Sequence, residues 1–60
     1  MPYHEHETQA WQYYDIAKAK LEEGYKSEAL LNFNMAYNIA QKNNMYGLMS
    51  QIDLYRKELK

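Results

Sequence analysis

An all-α fold is predicted for this chain, and three observations carry the prediction. The residues that favour strands are few: valine is absent, and the β-branched types are limited to Thr8, Ile16, Ile39 and Ile52 among residues dominated by Ala, Leu, Lys, Glu, Gln and Met. Apolar side chains recur at i, i+3, i+4 and i+7 rather than in alternation. Two turn signals, Gly24 and Asn43-Asn44, then divide the sequence into three helical segments.

The first helix is expected from Thr8 to Glu23, with Thr8 as N-cap. Ala10, Tyr14, Ala17 and Leu21 form its apolar stripe with Tyr13 at the edge, while Gln12, Asp15, Glu22 and Glu23 lie opposite. Ile16 falls between the two faces and is expected to meet a third element. Gly24 supplies the left-handed backbone that ends the helix. Ser27 is the expected cap of the second helix, which continues to Lys42 with Glu28 near its positive end. That helix carries a broad stripe of Ala29, Leu30, Phe33, Ala36, Tyr37 and Ala40, and a second stripe of Leu31, Met35 and Ile39. Two stripes predict a helix sandwiched between neighbours, one on each side. The third helix, Met45 to Glu58, presents Met45, Leu48, Met49, Ile52, Tyr55 and Leu59 on one face. Gly47 weakens its first turn by roughly 1 kcal/mol relative to alanine.

Sixty residues make one domain, 1–60, with 1–7 read as a frayed polar N-terminus. A chain this short buries only about 60% of its unfolded surface and is marginal as a monomer. There is no cysteine for a disulfide and no cluster with structural-zinc spacing. Stability must come from helix packing or from association. The formal net charge of −1 leaves no basic surface for phosphates, which argues against nucleic-acid binding. No stretch is apolar and long enough to span a bilayer, and the N-terminus lacks a signal-peptide core. A cytoplasmic location is the expectation, and no membrane partner is expected.

Gly24 followed by Glu28-Ala29, Phe33 and Ala36 resembles the second half of a tetratricopeptide repeat. Upstream, Tyr13, Ile16 and Ala17 fall where that family has its tryptophan, leucine and small residue. Lys20 and Gln41 depart from the pattern, standing where tyrosine and proline are usual. The resemblance covers about Gln9 to Lys42, and the segment from Met45 to Leu59 would begin a following, incomplete repeat. Phe33 to Lys42 also looks like repeats of Gram-positive peptide-sensing regulators. A rival resemblance is to the microtubule-interacting and transport domain, a three-helix bundle with similar spacing in its first hairpin; Tyr55-Arg56-Lys57-Glu58 matches its third helix loosely. The first family implies a three-helix arrangement, an antiparallel hairpin closed by a capping helix, whose role is to bind proteins or peptides.

Few residues suggest chemistry. Ser27 and Ser50 have no histidine near them in any helix pairing, no glycine loop can hold phosphate, and no catalytic residue or cofactor is assigned, so no enzyme is expected. In an extended segment His4 and His6 would face the same way and could chelate a metal, but no remote ligand completes the sphere; no metal site is assigned. The lone Trp11 lies off the main stripe and is either core-edge packing or a binding anchor. Tyr3, Tyr25 and Tyr46 fall outside the stripes and are expected to be exposed, whereas Tyr13, Tyr14, Tyr37 and Tyr55 are expected to bury their rings. Asn34, Asn38 and Gln41 form an amide face in a helix interior, where asparagine is a poor choice.

The function expected is a small, non-enzymatic adaptor, regulator or inhibitor that binds a protein or peptide partner, with Trp11, Tyr13, Asn34, Asn38 and Tyr46 as the contact residues. The alternative is a self-assembling module in which a second copy completes the incomplete repeat, making a homo-oligomer. A metal- or pH-responsive switch through His4 and His6 is a third reading.

Overall fold

The computed structural model describes residues 5–59, and these form three α-helices joined by two short turns: α1 (Glu5–Glu22), α2 (Lys26–Lys42) and α3 (Tyr46–Glu58). The all-α expectation holds. The short joints reverse the chain twice, so α2 runs antiparallel to both neighbours, with its larger interface against α1 and a smaller one against α3.

Both joints are built the same way. At the first, the Gly24 amide donates to the Leu21 carbonyl at 3.0 Å and the Tyr25 amide to the Lys20 carbonyl at 2.9 Å. At the second, Asn44 donates to Gln41 at 3.4 Å and Met45 to Ala40 at 2.8 Å. This is the Schellman closure, which satisfies the last carbonyls of a helix and needs a left-handed residue at its corner. Gly24 (φ +89°) and Asn44 (φ +58°) supply it. Asparagine is among the few side chains that adopt this region readily, so Asn43-Asn44 does the work of a glycine turn.

The closure also decides where the next helix begins. Tyr25 ends one motif and caps the next helix, its carbonyl accepting from the Ala29 amide at 2.9 Å, and Met45 does the same for Met49 at 3.0 Å. Helices α2 and α3 therefore start without a side-chain cap. Ser27, expected as a cap, lies inside α2. Thr8 likewise lies inside α1, which starts at Glu5, before the expected boundary. Replacing Gly24 by alanine should cost about 1 kcal/mol, because the added Cβ meets no neighbour but the backbone must stay left-handed. Urea unfolding of Gly24→Ala should show a lower midpoint with an unchanged slope.

The core is one cluster. Ala10, Tyr14 and Ala17 from α1, Ala29, Phe33, Ala36 and Ala40 from α2, and Leu48 and Ile52 from α3 are buried. Tyr13, Leu21, Tyr37, Ile39, Met45, Met49, Tyr55 and Leu59 pack around them. The expected stripes of α1 and α3 thus face inward, and that of α2 does so except for Leu30, which is partly buried outside this cluster. Alanines without exposed surface on both α1 and α2 allow close approach of the two backbones, while Phe33 fills the space among all three helices.

The expected sandwich is not what forms. Phe33 touches Tyr14 of α1, with ring centres 5.9 Å apart, and stacks on Tyr55 of α3 at 4.8 Å and 16°. Tyr14 and Tyr55 touch each other at 6.0 Å. Helices α1 and α3 thus meet through Tyr14 and Tyr55 on the Phe33 side of α2, with little direct packing between the two helices. The far side of α2 has no neighbour among the described residues. The second stripe of α2 falls there: Leu31 is 61% exposed and Met35 39%, and only Ile39 is partly buried at its edge. Ile16, expected to meet a third element, is exposed on α1.

Candidate functional site

Helical spacing of 100° per residue places Leu31, Met35 and Asn38 on the side of α2 opposite Ala29, Phe33, Ala36 and Ala40. Asn38 is exposed with the two apolar side chains. Ala29 to Gln41 contains no charged residue, in a chain that is 25% charged overall. The outer face of α2 is therefore apolar and amide in character, with Glu28 at one end and Lys42 at the other. Such a face loses less on desolvation than a charged one, because no ion has to give up its hydration.

The five residues singled out from sequence do not converge. Asn38 sits on this outer face. Asn34 lies toward α3, where its Oδ1 accepts from the Arg56 guanidinium at 3.3 Å. Arg56 also lies over the Tyr37 ring at 4.3 Å and reaches the Asp53 carboxylate at 3.4 Å, so it clips α3 to α2 and engages Asn34 in the fold. Tyr46 is exposed at the start of α3, its hydroxyl donating to Asn44 Oδ1 at 3.1 Å across the joint. Trp11 is half exposed on α1, edge-on to Tyr14 at 5.5 Å. Tyr13 packs against the core from the same helix. Tyr25 is exposed, as expected, and Tyr3 lies outside the described residues. The helical period of Leu31 and Met35 predicts burial, yet both are exposed on the side of α2 away from Phe33.

A second surface feature, of mixed polar and apolar character, lies on α3. Gln51, Leu54, Tyr55 and Glu58 line an open cleft of about 320 Å³, and Leu54 is 63% exposed beside it. Tyr55 links this cleft to Tyr14 and so to Trp11.

Electrostatics adds little chemistry. The Lys20 ammonium pairs with Glu28 at 3.7 Å and lies 5.4 Å from the Tyr25 ring centre, bracing the first joint from the surface, where such pairs contribute little. The acidity of Tyr14 departs from its ordinary value. Burial raises its pKa above 10.0, reinforced by the neighbouring Tyr55 hydroxyl and the Asp15 carboxylate. Because the folded state holds this proton more tightly, the associated stability is intact below the unfolded pKa and is lost as pH rises through the higher folded pKa. Thermal melts should therefore show a decline in stability above about pH 10, and Tyr14→Phe should flatten it.

His6 lies in α1 and His4 lies outside the described residues. The expected pairing of His6 with His4 therefore lies outside the described residues. Among the described residues no cluster of three or more His, Asp or Glu is placed to hold a metal ion, and no helix is long and apolar enough to cross a membrane. No protein family, characterised protein or solved structure matches this chain.

Proposed function

We propose that this chain is a small, non-enzymatic recognition module of the tetratricopeptide-like kind, which binds a protein partner in the cytoplasm through the outer face of α2. The observation that carries this reading is the exposure of Leu31 and Met35, side by side with Asn38, on a face whose only charges, Glu28 and Lys42, lie at its two ends. Neither side chain is needed to close the core, since Phe33 and the alanines already do so. Apolar area provides the favourable desolvation of binding, and exposed amides set register with a partner's backbone. The half-exposed Trp11 and the Leu54 cleft offer a further contact on the opposite side of the bundle.

The test is site-specific photo-crosslinking in cells that make the protein. A photoreactive residue at Asn38 should yield a discrete protein adduct, and the same residue at Gln12, exposed on α1, should not. Equal adducts at both positions, or none at either, would refute the assignment of this face.

A further inference from the structure

The recognition reading leaves the partner open, but the order of residues along the exposed face narrows it. Glu28, Leu31, Met35, Asn38 and Lys42 follow one another at spacings of three, four, three and four residues, the period of a helix-pairing seam. Met35 stands at its centre. Glu28 lies seven residues before Met35 and Lys42 seven after it, each about 10.5 Å along the helix axis. The Glu28 side chain is largely exposed although it pairs with Lys20 at 3.7 Å, and Lys42 is exposed.

We infer that the partner of this face is a second copy of the chain, packed with its α2 antiparallel about a two-fold axis near Met35. The inference rests on the outer face of α2 being the recognition surface. Charge selects the orientation: an antiparallel pair brings each Glu28 toward the other copy's Lys42, whereas a parallel pair sets Glu28 against Glu28 and Lys42 against Lys42. The helix dipoles favour the same arrangement. Leu31 and Met35 of both copies form the apolar centre, and Asn38 gives a polar position within the seam, a device that fixes register in paired helices. A two-fold axis makes the surface self-complementary, so every favourable contact occurs twice. The seam is short compared with interfaces of stable complexes, and the association is correspondingly weak and concentration-dependent.

Two measurements on the purified chain test this. Because the sequence has no cysteine, Met35→Cys introduces a single thiol, and under mild oxidation it should give a disulfide-linked dimer far faster than Ser50→Cys, exposed on α3. In sedimentation equilibrium, Glu28→Lys and Lys42→Glu should each weaken dimerisation by about tenfold, and the double exchange should restore it. Melts at low concentration check that each variant remains folded. A strict monomer up to on the order of 1 mM, equal crosslinking at both cysteines, or no rescue by the double exchange would overturn the second-copy assignment. The photo-adduct separates the two ideas: an adduct with a different protein, together with a monomer in solution, overturns the self-pairing and leaves recognition standing. Absence of any adduct at Asn38 removes both.

Discussion

Phe33→Ala should leave the chain largely unfolded at room temperature. Phe33 has no exposed surface and belongs to a triad of rings, one from each helix, in which it touches both Tyr14 and Tyr55. Removing such a side chain from a core costs about 3–5 kcal/mol in lost transfer energy and residual cavity. Whole small domains have stabilities of about 0.05–0.15 kcal/mol per residue, so a loss of this size consumes most or all of the stability here. Far-UV circular dichroism should show the helical signal falling sharply. Phe33→Leu should retain the fold with a lower urea midpoint, because it keeps most of the volume while losing the stack on Tyr55. A Phe33→Ala protein with native helicity and an unchanged midpoint would mean that the three rings do not hold the bundle together.

The second large effect is expected from adding volume. Ala36 has no exposed surface and lies on the same face of α2 as Phe33 and Ala40. A leucine there has no empty space to enter, so the helices must separate or neighbouring side chains must leave their preferred rotamers. Overpacking of this kind costs about 1–3 kcal/mol. Ala36→Leu should unfold at a clearly lower urea concentration, although leucine is nearly as good a helix former as alanine and more hydrophobic. A stabilised variant would show that the helices are looser than buried alanines imply.

Much of this architecture was legible in the residues. Ala10, Tyr14 and Ala17, then Leu48 and Ile52, face inward because a 3.6-residue period leaves few alternatives for apolar side chains in so short a chain. Gly24 and Asn43-Asn44 marked the joints because left-handed backbone is open to few residue types. Helix starts were less legible: Tyr25 and Met45 cap through backbone geometry, which carries no side-chain signature, so Ser27 drew the assignment instead. The larger departure concerned α3. Periodicity tells which residues share a face of α2 but not which neighbour covers that face. Leu31 and Met35 were read as covered by a helix that in fact meets Tyr14 on the other side of Phe33. The Arg56 clip onto Asn34 and Tyr37 was also out of reach, since it joins side chains distant in sequence and depends on how α2 and α3 are rotated. It ties the exposed Asn34 amide to α3.

The central claim is that the outer face of α2 is surplus to folding and serves contact. Its most direct test is the double substitution Leu31→Lys with Met35→Lys, followed by urea unfolding at low and at high protein concentration. At low concentration the midpoint should match that of the unaltered chain within the about 0.5 kcal/mol expected for exposed positions. At high concentration only the unaltered chain should gain stability, because association favours the folded state by mass action. A loss of several kcal/mol at low concentration would mean that Leu31 and Met35 belong to the core, and the account would be wrong at its foundation.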